Sequence, residues 1–419
     1  MDRLLTYENG LRVVVYNIPG VRSVSSGFWV GVGSGLENAE NNGISHFTEH
    51  MMFKGTDRLT PFDIANQFES LGANVNAFTS KECTCYYVKS VDEYHENCFS
   101  LLSEIFFRST FDPAELDKER KVIVEEINMV EDSPEDICYD EIAAATYGAN
   151  GLGRTILGPI DNVMRFTKSN VDDFISQFYG PENIVVAFAG NITLSGADRL
   201  IKKYVLPEFK GNYKKTELPA DRFNARVYSE KIKPFEQSNI ALAFPSLPFG
   251  DKDFTVQAAL NVAAGGGMSS RLFQSVREQQ GLAYSVYSAP NGYRNIGTLN
   301  IFLNISETNT LRSLEAVKKE LDAFKRGGIT EEELNRTKVQ LKSALVFAGE
   351  SVQSVMSSCG KLMLLKNEVY DVDERIALID GVTKKQVDEF AARVFDYSGL
   401  NAAYVGKKTD TDILGVFAK

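Results

Sequence analysis

Two apolar periods alternate along this chain. Leu11-Arg12-Val13-Val14-Val15-Tyr16 follows an Asn9-Gly10 turn, and Ser25 to Val32 carries Phe28, Trp29 and Val30; both stretches read as strands. A helix is expected from about Gly43. Thr60-Pro61 then supplies an N-cap with proline at the first helical position, and the run Phe62, Ile64, Ala65, Phe68, Leu71 stops at Gly72. Beyond it come a β-rich stretch from Val75 to Val88 and a helix near Glu93 to Phe106. A long helix opens at Asp112-Pro113 and another at Ser133-Pro134. A helix near Val171 to Phe178, a strand at Ile184 to Ala189 and a helix from about Ser195 to Tyr204 complete the first half.

Pro207 through Arg226 is polar with no apolar period, as an interdomain linker would be. The order then repeats. A strand at Ile240 to Phe244 stands for the Phe28 strand, Gly267 to Phe273 for the Gly43 helix start, and Ala283 to Ile305 for the β-rich stretch. Thr330-Glu331-Glu332-Glu333-Leu334 echoes Asp112-Pro113-Ala114-Glu115-Leu116, and Asn401 to Val405 echoes the Ile184 strand. A repeat this long means a duplicated domain and not a solenoid, whose unit is roughly 20–50 residues. The expectation is an α+β protein of two similar domains, each a mainly antiparallel sheet with helices packed on it. Residues 1–210 form the first, 211–226 the linker and 227–419 the second.

The 419 residues are 43% hydrophobic and 24% charged, an ordinary globular composition. Forty-five Lys+Arg against 56 Asp+Glu leave a net charge of −11, which argues against nucleic acid or an anionic membrane as partner and leaves peptide-like partners open. No apolar run approaches the ~18–20 residues of a transmembrane helix, and the N-terminus lacks a secretory or transit pattern, so a cytoplasmic protein is expected. Five cysteines are an odd number in a chain too large to need staples, which makes reduced thiols the default. Cys83-Thr84-Cys85 reads as buried or surface strand side chains, since no second cysteine pair follows.

Histidine is scarce: only His46, His50 and His95 occur. His46-Phe47-Thr48-Glu49-His50 lies in the helix expected after Gly43, and residues i and i+4 share one face of a helix. Two imidazoles one turn apart can ligate one zinc, while the glutamate between them stays free as a general base. This is H-x-x-E-H, the reverse of the H-E-x-x-H zinc helix. A catalytic zinc usually takes three protein ligands. His95 sits among Glu93, Tyr94, Glu96 and Asn97, which reads as a solvated helix start, so a carboxylate is the better third ligand. The long helix after Pro113 offers Glu119, Glu125 and Glu126, of which Glu119 and Glu126 lie seven apart on one stripe.

These residues resemble the pitrilysin/insulysin family of inverted-motif zinc peptidases, in its half-length branch with the mitochondrial processing peptidase and its bacterial homologues. That family carries H-x-x-E-H and, some 75 residues later, a ligand glutamate within E-x6-E; here 75 residues separate His50 from Glu126. The resemblance implies one zinc per chain held by His46, His50 and Glu126, with Glu49 as base and Glu119 as an assisting carboxylate. Asn76-Ala77-Phe78-Thr79-Ser80-Lys81-Glu82 looks like the family's edge strand, implying that Asn76 and Ala77 hold an extended peptide. Gly153-Arg154-Thr155-Ile156-Leu157-Gly158-Pro159 is similar to a stretch of the processing peptidase. Arg277-Glu278-Gln279-Gln280-Gly281-Leu282-Ala283-Tyr284 resembles the element whose Arg and Tyr contact the substrate near the scissile carbonyl. Asp136 and Asp140, one turn apart, match the processing peptidase's acidic subsite for an arginine of the substrate. A homodimer, with Arg277 and Tyr284 acting across it, follows from the same likeness.

The duplication supplies an internal test. With Gly43 set on Gly267, His46, Glu49 and His50 fall on Ser270, Phe273 and Gln274, and Glu126 falls opposite Ala344 once Leu116 is set on Leu334. The second half is therefore expected to hold no metal. The function expected is a zinc-dependent endopeptidase acting on extended peptides or unfolded segments; the rival reading is a non-catalytic peptide-binding or assembly subunit of the same fold.

Overall fold

The computed structural model describes residues 3–209 and 222–418. Residues 211–221 of the expected linker lie outside the described residues. The strands are β1 (Leu4–Thr6), β2 (Arg12–Asn17), β3 (Ser23–Val30), β4 (Asn74–Thr79), β5 (Thr84–Val91), β6 (Ile184–Gly190), β7 (Tyr228–Ile232), β8 (Ser238–Ser246), β9 (Ala283–Gly292), β10 (Gly297–Ile305) and β11 (Asn401–Gly406). The helices of the first half are α1 (Ile44–Met51), α2 (Pro61–Ser70), α3 (His95–Arg108), α4 (Pro113–Glu131), α5 (Pro134–Tyr147), α6 (Ile160–Val163), α7 (Lys168–Phe178) and α8 (Leu194–Tyr204). Those of the second are α9 (Phe254–Ala264), α10 (Thr310–Gly327), α11 (Glu331–Gly349), α12 (Val352–Lys366), α13 (Val372–Gly381), α14 (Lys384–Val394) and α15 (Ile413–Val416).

One sheet runs β1-β2-β6-β3-β5-β4, the other β7-β11-β8-β10-β9. Apart from β1, the orders match strand for strand. β2 runs parallel to β6 as β7 does to β11, and the other neighbours are antiparallel. The α+β class with two similar sheets is thus as expected.

The compact units are not continuous stretches of chain. One comprises residues 1–127, 155–219 and 347–370, the other 128–154, 220–346 and 371–419. The halves have exchanged a helix. Ile137, Cys138 and Ile142 of α5 pack on Ala241, Ala243, Phe302, Ala403 and Val405 of the second sheet. On the first sheet, the Trp29 indole N–H of β3 meets Met356 Sδ of α12 at 3.4 Å. The two exchanged helices also begin alike: Ser133 and Ser351 cap them with nearly the same extended backbone (φ −99°, ψ 108° and φ −100°, ψ 112°) and accept N–H bonds from Asp136 and Ser354. A boundary drawn at the linker misses this exchange, because each helix buries its apolar face against a sheet far away in sequence.

The repeat also needs realigning at one element. Gly267 to Phe273 does not stand where α1 stands. It leads into a short π-helical turn, Phe273–Gln279, immediately before β9, the place α2 holds before β4. By element order α9, the first helix after β8, is the counterpart of α1, the first α-helix after β3. Its sequence, Phe-Thr-Val-Gln-Ala-Ala-Leu-Asn-Val-Ala-Ala, contains no His, Cys, Asp or Glu, so this counterpart carries no metal ligand.

Strand alternation explains the two-sided cover of the first sheet. Phe28 points toward α3 and stacks on Phe106 and Phe99 with ring centroids 4.3 and 5.7 Å away. Its neighbour Trp29 points the other way, under α12, where Gly360 leaves room for the indole. A methyl group at Gly360 would overlap the indole ring. Gly360→Ala should therefore lift α12 from the sheet and cost on the order of 3 kcal/mol, lowering the melting temperature by several degrees. Gly349→Ala, where an added carbon meets nothing within 4 Å, should leave it unchanged in the same thermal melt.

Candidate metal centre

Helix α1 is only eight residues long and is preceded at the N-cap by Gly43, which has no side chain to cap it. A buried carboxylate does that work from outside the helix. Glu37, 4% exposed, accepts N–H bonds from Gly43 (2.7 Å) and Ser45 (2.8 Å) and from the Asn42 amide (2.8 Å). Burial pushes the Glu37 carboxyl upward, against the lowering effect of these donors, and its negative charge sits where the helix dipole is positive. Gly43 is left-handed at φ +100°, and an added Cβ would press on the Leu157 carbonyl at 2.6 Å, so only glycine fits between α1 and the Thr155–Gly158 loop. Asn42 also donates to Thr155 O at 2.9 Å, and Asn162 donates to Asn42 O at 3.1 Å. The start of α1 is thus clamped by sequence 110–120 residues away.

On the far face of that turn, His46 and His50 stand with ring centroids 4.5 Å apart. Glu126 comes from α4. Its Oε2 lies 3.6 Å from His46 Nε2 and 3.6 Å from His50 Nε2. That separation is too long for a hydrogen bond and close to the edge, about 3.4 Å, of a tetrahedron with zinc–ligand bonds of about 2.0–2.1 Å. Glu126 Oε2 is shielded from solvent yet has no hydrogen-bond partner, which suits an atom facing a cation. Among the described residues, His46, His50 and Glu126 are the side chains whose arrangement could hold a metal ion.

Glu119, two turns before Glu126, holds the back of His50: its Oε1 is 2.8 Å from Nδ1. Its other oxygen pairs with Lys54 Nζ at 2.6 Å. Burial favours a neutral Glu119, but the bonds to His50 and Lys54 outweigh it and keep the carboxyl below its ordinary range. With Nδ1 bonded to a carboxylate, His50 presents the lone pair of Nε2 toward Glu126. Burial, helped by the nearby His50, holds His46 down to about 3, so this imidazole is neutral at pH 7. His50 is raised although burial opposes it, because Glu119, Glu49 and Glu126 surround it with negative charge. Three carboxylates around two imidazoles make a field that a divalent cation neutralises, and the donor set of two nitrogens and one oxygen fits zinc.

Glu49 lies between His46 and His50 on the same helix and is not one of the three converging side chains. Burial raises its carboxyl, with Glu126 adding to the effect, while a 2.6 Å hydrogen bond from Thr79 Oγ1 and the charge of His50 act the other way.

The sequence of residues 12–160 matches the family described as Insulinase (Peptidase family M16), and residues 165–341 match the Peptidase M16 inactive domain. An uncharacterized zinc protease of Bacillus subtilis, YmxG, is 41% identical over 400 residues, covering 95% of this chain and 97% of the relative. The chain belongs to peptidase family M16. An uncharacterized zinc protease of Streptomyces coelicolor is 35% identical over 94% of this chain and 87% of its own length, so this M16 chain is one of the half-length members. Two solved structures share the fold: a peptidase M16 inactive domain from Pseudomonas fluorescens (TM-score 0.90, 18% identity, 97% of this chain and 98% of that one) and a protease from Helicobacter pylori (TM-score 0.88, 21% identity, 96% and 98%).

The remaining sequence-predicted residues of this M16 chain fall in three places. Asn76 and Ala77 lie on β4, the outer strand of the first sheet, whose inner side pairs with β5; the Ala77 N–H is taken by Asn76 Oδ1 at 2.8 Å. Arg277 and Tyr284 belong to the second unit, where the guanidinium lies 5.9 Å from the Tyr284 ring and the tyrosine, on outer strand β9, is 73% exposed. Asp136 and Asp140 are on α5, also in the second unit, with Asp136 exposed. Their acidic neighbours are absorbed by packing: Glu131 pairs with Lys231 (2.7 Å) and Lys233 (2.8 Å), and Glu135 accepts from Tyr287 at 2.9 Å.

Sequence reasoning missed Glu37, Lys54 and Thr79, and it misplaced His95. Lys54, four residues after His50, was legible as a cation one turn beyond the motif. His95 is not solvated. It is buried on the stripe His95, Cys98, Phe99, Leu102 of α3, its Nδ1 2.9 Å from Ser90 Oγ. All five cysteines are buried and none is in a disulfide, and burial pushes the Cys85 thiol well up. No described helix is long and apolar enough to cross a membrane.

Burial holds His95 down to about 4, against an ordinary 6.5, so the unfolded chain binds a proton there before the folded one does. Stability from this residue is complete above about pH 6.5 and is lost as the pH falls toward 4. Between pH 6.5 and 5 the loss should be about 2 kcal/mol. His95→Asn should flatten that part of the stability–pH curve in denaturant titrations while leaving the metal content unchanged; an unaltered slope would count against the burial of a neutral imidazole.

Proposed function

We propose that this chain is a zinc-dependent endopeptidase acting on extended peptides or unfolded polypeptide segments. The observation that carries the proposal is the convergence of His46, His50 and Glu126 on one point, with Glu49 on the same helix held out of the ligand set. Zinc bound by these three side chains would supply a Lewis acid that polarises the scissile carbonyl and makes water acidic enough to attack it. Glu49 takes the proton of the attacking water and passes it to the departing amine nitrogen, which leaves the carboxylate free for the next cycle. Glu119 keeps the His50 ring oriented, and Lys54 balances the Glu119 charge.

An extended substrate suits the open side of β4, where a peptide carbonyl would replace Asn76 Oδ1 on the Ala77 N–H. Asp136 and Asp140 are assigned to a basic side chain near the cleaved bond, in keeping with the net charge of −11. Arg277 and Tyr284 are assigned to the carbonyl oxygen as it gains charge, contributed by the second copy in a homodimer.

The direct test is hydrolysis of an unfolded peptide by wild type and by Glu49→Gln, with and without a chelator. Glu49→Gln should lower kcat at least about 100-fold with zinc still bound at one per chain, and the chelator should abolish turnover of wild type reversibly. Activity that survives both treatments overturns the proposal.

The dimer has its own test. Glu49→Gln and Tyr284→Phe chains, each inactive alone, should recover cleavage when co-expressed, because one active centre in the mixed dimer then has both groups intact. No recovery in a purified mixed dimer would show that Tyr284 does not act across the interface.

A further inference from the structure

The Glu49 carboxylate has a partner that the H-x-x-E-H motif does not contain. Thr79, the last residue of β4, donates its hydroxyl to Glu49 Oε2 at 2.6 Å, within the short range of a charge-assisted O–H···O bond. Glutamate needs such a partner to be a precise base. Its terminal torsion is broad and roughly two-fold, so helix geometry alone fixes where the side chain starts but not how the carboxylate plane is turned.

Thr79 is well placed to set that plane. Its χ1 is stiff because the residue is β-branched, and its backbone is anchored on several sides. It pairs with Thr84 in the β4–β5 ladder, and the turn that follows is closed by Ser80 N–H to Cys83 O at 2.8 Å. That turn is in turn tied to the segment before α1, with Ser34 N–H bonded to Ser80 O at 3.1 Å and Gly35 N–H to Lys81 O at 2.6 Å. The anchor of Glu37, two residues further on, leads directly into the cap of α1. The base and its partner therefore rest on one connected backbone frame.

We propose that Thr79 is a positioning residue for Glu49: its hydroxyl occupies Oε2 and turns the carboxylate so that Oε1 alone faces the water to be deprotonated. Because β4 is also the strand on whose outer side a peptide would be held, Thr79 ties the register of the substrate to the orientation of the base. The inference rests on the reading of Glu49 as general base.

Steady-state kinetics on an unfolded peptide, with zinc content and melting temperature measured on the same samples, test it. Thr79→Val keeps the shape and removes the donor; it should lower kcat by about 10- to 100-fold, with KM within about two-fold and zinc still at one per chain. Thr79→Ser should restore kcat to within about three-fold of wild type, and Thr79→Ala should resemble valine, which guards against a packing defect peculiar to one side chain. Wild-type kcat in the valine and alanine variants, a kcat loss that tracks loss of zinc or of folded protein, or failure of serine to rescue would each overturn the role given to Thr79. Glu49→Gln run beside them separates the two claims, since an active Glu49→Gln enzyme would refute the general-base reading itself.

Discussion

A candidate metal site built on one short helix depends on what holds that helix from outside. Eight residues make too few internal hydrogen bonds to keep a helix in place in water, so the direction of α1 is set by tertiary bonds and not by its own propensity. The Glu37 carboxylate, buried and turned onto the N–H groups of Gly43 and Ser45, supplies that constraint. Every later relation in the site inherits it. If α1 rotated by a fraction of a turn, His46 and His50 would no longer face Glu126 together, and Glu49 would leave the reach of Thr79. A buried glutamate is costly unless its oxygens are saturated with donors, and the donors here are the very groups that an uncapped helix leaves unpaired.

The same logic separates the two halves. Both have an outer strand next to a helix that follows the central strand, and both send a long helix into a serine-capped one that packs on the other half's sheet. The scaffold was duplicated; the chemistry was not. In α9 the positions that could carry ligands are filled by Gln, Ala, Leu, Asn and Val, of which Val256, Gln257, Ala259 and Leu260 are buried. The face of α9 is given over to packing and holds no carboxylate, imidazole or thiol, so among the described residues this helix keeps the fold without the side chains that α1 offers a cation.

Much of the first half was legible in the sequence, and the reasons are local. Thr60-Pro61 announced α2, where a capping box forms with Asp63, and the i, i+4 spacing of His46 and His50 placed both on one helical face. Asp112-Pro113 marked α4 within a residue of its start. The failures share the opposite character. The exchange of α5 and α12 is a choice of distant sheet, for which an amphipathic pattern gives the face but not the partner. Setting Gly267 on Gly43 treats it as the opening of a counterpart to α1, yet a glycine marks a turn without saying which element follows. His95 was judged by its polar neighbours in sequence, although its helical neighbours Cys98, Phe99 and Leu102 already formed an apolar stripe. Glu37 and Thr79 were invisible because a hydrogen bond across 8 or 30 residues leaves no periodic trace.

The exchange of helices bears on the metal site in one further respect. The chain passes between compact units inside its two longest helices, after Ile127 in α4 and after Val346 in α11, and these are equivalent points once Leu116 is set on Leu334, to within one residue. Glu126 lies next to Ile127, the last residue before the first of them. The carboxylate that would complete the candidate ligand set is thus carried by a continuous helix whose earlier part, through Leu116, Glu119 and Ile123, is buried in the first unit and whose later part belongs to the second. A loop at that point would leave Glu126 free to swing. An unbroken helix instead fixes it by the rigid 3.6-residue repeat that also places Glu119 two turns earlier behind His50, so a single element sets both the third candidate ligand and the group that orients the second.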